Sequence, residues 1–175
     1  MPLVRLASRA VIGAFEQPSD VARALPELDK SGIKPVNVSL LAPARTFDAA
    51  KSTDRAKVPL APIGKGANWL GEARRIDRNG EGALLGTGVL GEVLAESPNT
   101  SPAGALVMQG VPQRDALTYV DLLAAGKTLA LIDVADRTMG ERVRGILVKS
   151  GATAVAYFSG RPYGTAYHGT GPGLR

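Results

Sequence analysis

The sequence feature that most constrains the fold is a nearly unbroken apolar run at residues 128–134, which Gly126 and Lys127 precede and Ala135 and Asp136 follow. The run is rich in branched side chains and has turn or capping residues at both ends. These features predict a strand that is covered on both faces in the middle of a sheet. Helical patterns lead into the run and out of it, so it predicts the organisation of the fold rather than a chemical activity.

A strand–helix–strand pattern near the N-terminus has the same plan. Residues 10–15 predict a buried strand, and residues 17–20 begin a helix that Gly32 ends. Pro26 lies inside this helix and removes a backbone donor, so we expect it to kink the helix or split it. Residues 36–40 alternate apolar with polar side chains, which predicts a second strand with one wetter face.

The C-terminal third repeats this plan. After the central strand, Asp136 or Thr138 is expected to cap a helix, and residues 138–141 match a capping box. Residues 154–158 predict the final strand. The segments 11–40 and 130–159 align without a gap on a shared Lys-Ser-Gly.

A ferredoxin-like sandwich consists of two strand–helix–strand units related in this way. The sequence therefore predicts a fold of the α/β (α+β) class, a ferredoxin-like sandwich with a four-stranded antiparallel sheet and helices on one face. Residues 10–15 and 128–134 are expected to be the central pair of strands. A long irregular insertion and an extended C-terminal arm complete this fold class.

The 175 residues, of which 45% are hydrophobic, are enough for one core of ordinary size. We therefore expect a single domain over residues 1–175, whose core is formed by residues 9–41 and 104–159. Residues 42–103 are expected to form the insertion, and the glycine-rich residues 160–175 the arm.

Within and after the insertion, three segments carry weaker patterns. Residues 84–94 predict a short helix, or a strand followed by a helix. Residues 105–108 predict one more short strand. Residues 112–125 predict a clear helix, because Pro112 begins it and Gly126 ends it. Its expected apolar side is formed by Leu117, Val120 and Ala124.

Composition excludes several classes of site. The chain has no cysteine, which excludes disulfides, thiolate zinc sites and cysteine nucleophiles. Its net charge of +5 favours an acidic partner, such as anionic lipid, nucleic acid or an acidic protein face. No run approaches the roughly 18 apolar residues of a transmembrane helix, and residues 10–15 are too short for a signal-peptide core. We expect a cytoplasmic protein, with peripheral attachment to the cytoplasmic side of a membrane left open.

Two glycine patterns resemble phosphate-binding motifs but lack their context. Residues 86–91 match the dinucleotide pattern G-x-G-x-x-G, yet only residues 83–85 precede them as a strand, and no acid follows about 20 residues later. Close packing of a short helix explains these glycines more simply. Residues 126–128 imitate the end of a phosphate-binding loop, but the helix comes before them and the strand after, which reverses the required order.

Single titratable residues do not form a site by themselves. The only histidine, His168, lies in the glycine-rich tail, where a lone imidazole builds neither a metal site nor a triad. Asp133 lies within the apolar strand, where a structural role is favoured over that of a base. We therefore predict no enzyme, no catalytic residue, no metal site and no cofactor.

Basic side chains concentrate in the middle of the chain, with two aromatic residues, Phe47 and Trp69, among them. They could contact nucleic acid, but the charges form no tight run, so an arm laid on a partner protein is the favoured interpretation. The predicted partner-binding residues are Arg45, Arg55, Lys57, Lys65, Trp69, Arg74, Arg75, Arg78, Tyr163 and Tyr167.

A pattern of small and apolar positions covers two pairs of segments, residues 11–16 with 31–41 and residues 109–119 with 125–134. In the second pair, a Gly-Val-Pro helix with a tyrosine is followed by a Gly-led strand. This pattern resembles the YflT-like general-stress-protein family, and residues 82–94 resemble a reduced form of the glycine-rich segment between its halves. The resemblance covers about half the chain. It implies an α/β domain without established catalysis, of a kind found in stress proteins and in an accessory subunit of a respiratory complex.

The basic arm and the long tail depart from that family and favour a segment that gains order on a partner. We therefore expect a non-enzymatic accessory or scaffold subunit that docks on a larger assembly, at the cytoplasmic face of a membrane bioenergetic complex. The expected contact is an acidic protein surface or anionic lipid. The alternative is a ligand-sensing or stress-response regulatory domain, in which the turns 16–20 and 133–138 hold a ligand at a dimer interface. A third option is an enzyme that uses residues 86–91.

Overall fold

The computed structural model describes residues 9–46, 57–59, 70–78 and 82–159, and in these ranges the chain forms one antiparallel sheet of seven strands with five α-helices. The strands are β1 (Ala10–Phe15), β2 (Val38–Pro43), β3 (Lys57–Pro59), β4 (Glu72–Arg78), β5 (Gly82–Gly86), β6 (Thr128–Asp133) and β7 (Thr153–Phe158). The helices are α1 (Pro18–Lys30), α2 (Gly88–Glu96), α3 (Pro102–Met108), α4 (Gln113–Ala124) and α5 (Arg137–Lys149).

The predicted pairing of strands β1 and β6 is confirmed, although the pair lies toward one side of the seven-stranded sheet. Strands β1 and β6 run antiparallel in a continuous register from Ala10 opposite Asp133 to Phe15 opposite Thr128. The full strand order is β3-β4-β5-β2-β6-β1-β7. The two strands of each strand–helix–strand unit therefore flank a strand of the other unit, and the units interlock.

The sheet is covered by helices on both faces, so the prediction of helices on one face is wrong. One layer, the α1–α5 layer, packs on the face that carries Phe15 and Ile132. The other, the α2–α4 layer, packs on the face that carries Ile12 and Leu129. Because consecutive residues of β1 and β6 are mostly apolar, both faces of these strands have to be removed from water.

The sheet also has seven strands among the described residues, where the sequence predicted four. Strands β3, β4 and β5 extend it beyond β2. They and helix α2 lie within residues 42–103, so the prediction of an irregular insertion is wrong for the described part of that segment. Ala73 and Ile76 of β4 are buried on opposite faces, which ties this part to both layers. The predicted arm at 160–175 lies outside the described residues.

Three predictions for the middle of the chain have different outcomes. Residues 84–94 are confirmed as the end of a strand followed by a helix. Residues 105–108 belong to helix α3 rather than to a strand, because Ser101 caps that helix by accepting a hydrogen bond from the Gly104 N–H at 2.9 Å. Helix α4 is where the sequence predicts it, but its buried face is different. Leu117 is 51% exposed, and the buried residues are Ala116, Tyr119 and Leu123.

The N-terminal unit differs from its prediction at two points. Helix α1 is not split, although Pro26 lies within it, and the expected kink stays a prediction. Pro26 is on the exposed side, while Leu25 and Leu28 hold the turns around it against the sheet. Strand β2 has no wetter face, because every one of its residues is buried, including Ser39.

The C-terminal unit is closer to its prediction. Strand β7 is confirmed over residues 154–158 and begins one residue earlier, at Thr153. Of the two proposed caps for α5, Asp136 is the one used: its Oδ1 accepts a hydrogen bond from the Met139 N–H at 2.8 Å. Thr138 lies inside the first turn, so the predicted capping box at 138–141 is wrong.

Candidate functional site

The β3–β4 edge of the sheet gathers four of the predicted partner-binding residues, and we call them the basic edge: Lys57, Arg74, Arg75 and Arg78. Strand β3 is the outermost strand on this side of the described sheet. Lys57 lies directly opposite Arg74 in the antiparallel register, so the pairing of two short strands brings residues from distant parts of the sequence together.

Arg74 and Arg75 of the basic edge form solvent-exposed ion pairs. The Nη1 atom of Arg74 lies 3.7 Å from Oε1 of Glu96, and these side chains are 43% and 52% exposed. The Nε atom of Arg75 donates to Oδ1 of Asp77 at 3.2 Å. Pairs of this kind contribute about 0–1 kcal/mol to stability. The arginines can therefore exchange these partners for the carboxylates of another molecule at little cost.

The other predicted partner-binding residues are not brought to this edge. Arg45 follows β2 and lies near the end of helix α4. The remaining predicted residues, as well as His168, lie outside the described part of the chain: Arg55, Lys65, Trp69, Tyr163 and Tyr167.

A cavity of about 240 Å³ lies beside Arg45, and we call it the Arg45 cavity. Its other lining residues are apolar: Pro43, Leu84, Pro102, Val120, Leu123 and Ala124. The Nη2 atom of Arg45 donates a hydrogen bond of 3.1 Å to the Ala124 carbonyl, at the C-terminal end of α4. The lining comes from four distant segments of the chain, so no local sequence pattern indicates it.

The glycine pattern at 86–91 joins β5 to α2, and its glycines are there for close packing. A Cβ atom on Gly88, whose φ is +62°, would lie 2.4 Å from the Val38 carbonyl oxygen. A Cβ atom on Gly91 would lie 2.6 Å from the carbonyl carbon and oxygen of Gly86. These contacts confirm the interpretation that the glycines allow a short helix to approach its strand.

Strand β2 also occupies the N-terminus of α2. Thr87 exchanges two hydrogen bonds of 2.9 Å with the Leu40 backbone, one through its N–H and one through its Oγ1. Ser39 Oγ accepts from the Leu90 N–H at 3.3 Å. A phosphate bound at this helix N-terminus would have to displace these contacts, so the turn is a packing element and not an open anion site.

The second glycine pattern, at 126–128, has the order that the sequence indicates, with α4 before it and β6 after it. Gly126 has a φ of +99° and ends the helix. The Nζ atom of Lys127 forms an ion pair with Glu16, which lies just after β1. Lys127 therefore ties the start of β6 to the end of β1.

The two turns of the ligand-sensing hypothesis lie at opposite ends of the sheet, because β1 and β6 are antiparallel. Their carboxylates also have structural partners. Asp20 accepts from the Gln17 N–H at 3.2 Å and pairs with Arg23 at 2.7 Å, while Asp136 caps α5. Asp133 is half-buried and lines a cavity of about 30 Å³ beside Ser39. One chain does not bring the two turns into a common site.

Tyr119 forms a contact that no sequence pattern indicates. Its hydroxyl donates a hydrogen bond to the Ala154 carbonyl and so joins α4 to the edge strand β7. Ala154 has a φ of +52°, beside an irregularity in the β1–β7 register. Burial, and then the nearby Asp115 carboxylate, raise the pKa of Tyr119 from 10.0 to about 12.

This raised pKa predicts a loss of stability in alkali that depends on Tyr119. The folded state favours the neutral phenol, so its contribution is complete below pH 10 and disappears as the pH rises through about 12. We expect the difference in unfolding free energy between the wild type and Tyr119→Phe to fall by up to about 2 kcal/mol over this range. Denaturant titrations at pH 9 to 12 measure it, and a constant difference would contradict the assignment.

Within the described ranges, no group of three potential ligands among His, Asp and Glu is placed to hold a metal ion. None of the helices described here is long and apolar enough to cross a membrane. Comparisons with protein-family models, with curated proteins and with solved structures find no match to the chain. The basic edge and the Arg45 cavity are therefore the features from which a function can be inferred.

Proposed function

We propose that the chain is a non-enzymatic accessory or scaffold subunit that docks on a larger protein assembly. The observation that carries this proposal is the register of β3 and β4, which places Lys57 opposite Arg74 at the end of the sheet. Arginine suits such a contact because its planar guanidinium binds carboxylates in a bidentate manner. The proposed assembly is a membrane bioenergetic complex, which the subunit contacts at its cytoplasmic face.

An acidic protein surface fits the basic edge better than an anionic lipid surface. Arg74 and Arg75 are consecutive residues of a strand, so they lie on opposite faces of the sheet. A flat membrane meets one face of a sheet at a time, whereas a protein groove can enclose the edge from both sides. The edge strand also offers backbone donors and acceptors that a protein partner can pair with.

The finer fold is part of the same proposal. The strands β2-β6-β1-β7 are consecutive in the sheet and come from two interleaved strand–helix–strand units. This order supports a ferredoxin-like core to which β3, β4 and β5 have been added. The resemblance to the YflT-like family stays a prediction. A ligand-sensing or stress-response role remains the second candidate, because the Arg45 cavity has the apolar lining of a small-molecule site.

Reversing two charges of the basic edge is expected to abolish docking. The variant Lys57→Glu/Arg74→Glu should reduce recovery of the co-purifying assembly at least tenfold, because it places like charges against an acidic surface. The matched control Arg114→Glu/Arg142→Glu makes the same change in net charge at exposed helix positions and should keep recovery unchanged. Quantitative mass spectrometry after affinity purification from membrane and soluble fractions measures both.

Three results would contradict this prediction. The first is purification of the chain as a monodisperse monomer. The second is equal recovery of the assembly with both double variants. The third is recovery of the assembly that does not fall between 50 and 500 mM salt. Flotation with vesicles that contain about 30% phosphatidylserine tests the lipid alternative. Charge-dependent flotation of the wild type without a co-purifying protein would assign the edge to the membrane instead. Circular dichroism of each variant establishes that the fold is retained.

A further inference from the structure

We infer that the Arg45 cavity binds a small amphipathic carboxylic acid, with the carboxylate on Arg45 and the apolar body in the cavity. The site is separate from the basic edge and from the two turns of the ligand-sensing hypothesis. Its case rests on the lining, on the position of the guanidinium and on the size of the cavity.

The lining selects an apolar body. Six of the seven described residues around the cavity are apolar, and they include two prolines, Pro43 and Pro102, whose rings keep a fixed backbone shape. Leu123 is buried beneath the cavity within the α2–α4 layer. Water in such a cavity has few polar partners, so an apolar group that displaces it gains affinity.

The positive charge of Arg45 selects a carboxylate at the other end of the ligand. The hydrogen bond from Arg45 Nη2 to the Ala124 carbonyl holds the guanidinium at the rim and uses one of its five N–H donors. Among the described residues, no carboxylate forms an ion pair with Arg45. A ligand carboxylate can therefore take up the remaining donors in a bidentate contact, on the side away from the Ala124 carbonyl.

The size of the cavity limits the ligand. Its volume of about 240 Å³ is larger than the roughly 150 Å³ of an apolar cavity that holds one benzene molecule. A linear or aromatic acid with about eight to ten non-hydrogen atoms, such as hexanoate, benzoate or octanoate, matches this volume. For a ligand of this size, we expect a Kd between about 10 µM and 1 mM. A nucleotide is too large and carries more charge than one arginine can balance.

Calorimetry on the full chain tests this site with hexanoate, octanoate and benzoate, and with 1-octanol as the uncharged match to octanoate. At least one of the acids should bind saturably with a Kd below about 1 mM, and 1-octanol at least tenfold more weakly than octanoate. Arg45→Gln should weaken binding of the acid at least tenfold, because it removes the charge. Val120→Phe should abolish binding, because the larger side chain fills the cavity.

Two matched variants control for general effects. Arg114→Gln removes an exposed arginine, and Leu117→Phe enlarges an exposed side chain of the same helix, so both should change Kd less than twofold. Lack of saturable binding by every acid at 10 mM, or equal binding by the wild type, Arg45→Gln and Val120→Phe, would overturn the inference. The variant Lys57→Glu/Arg74→Glu should bind the acid normally, so failure of the docking proposal leaves this result interpretable.

Discussion

Replacing Gly91 by alanine is expected to destabilise the fold by about 2–4 kcal/mol, although alanine is the better helix former. A Cβ atom at this position of α2 would lie 2.6 Å from the carbonyl carbon and oxygen of Gly86. Gly86 cannot move away readily, because it is paired with Leu41 of β2 on one side and with Arg74 of β4 on the other. The added methyl group therefore forces the helix off the sheet and opens the α2–α4 layer.

Gly145 provides a matched control for this substitution. It also lies inside a helix, α5, but no heavy atom is within 4 Å of the position that its Cβ would take. Gly145→Ala should stabilise the protein by about 0.5–1 kcal/mol, because alanine has the higher helix propensity. Urea titrations followed by circular dichroism measure both variants. Stabilisation of both by the same amount would show that α2 and β5 are not in close contact.

Truncating Phe15 is expected to have the largest effect of any single side chain in the α1–α5 layer. Phe15 is 0% exposed and packs among residues from both helices of that layer. Deletion of a buried phenyl ring costs about 3–5 kcal/mol, which includes the cavity that remains. A loss of this size approaches the whole stability of an ordinary domain. We therefore expect Phe15→Ala to be largely unfolded at physiological temperature.

Phe158 is the control for this prediction, because Phe158→Ala deletes the same ring from the edge strand β7. Phe158 is partly exposed and packs at the margin of the α2–α4 layer. Its truncation should cost less than half as much as that of Phe15, about 1–2 kcal/mol. Denaturant titrations measure the unfolding free energy of both variants, and similar m-values show that the two can be compared. Equal losses would contradict the deeper burial of Phe15.

Some of this fold can be predicted from the sequence, because a few segments have only one favourable environment. The continuous apolar runs of β1 and β6 require burial on both faces, which also implies helices on both sides of the sheet. Strand β4 is different, since its sequence is mostly charged and, of its described side chains, only Ala73 and Ile76 are buried. Pairing with β5 makes it a strand, and no local pattern reports that pairing.

Helix α4 shows the same limit on a smaller scale. Leu117 is the more apolar residue, but Tyr119 is buried because its hydroxyl finds the Ala154 carbonyl on β7. The residues of the basic edge are four of the ten that the sequence offers as partner-binding candidates, and their position at one edge depends on the register of β3 and β4. The Arg45 cavity depends on where β2, β5, α3 and α4 meet, which sequence patterns do not contain.

The interlocked order of the strands has a consequence for how the chain acquires its structure during synthesis. Strands β1 and β2 are made first, but β6 separates them in the sheet and is made much later. Until Thr128–Asp133 has left the ribosome, the N-terminal unit has a gap one strand wide and two unpaired edges. Closing that gap across most of the chain carries a large entropic cost, which makes folding slow and late. During that interval the unpaired strand edges of the nascent protein can pair with other chains, so they need to be covered to prevent aggregation.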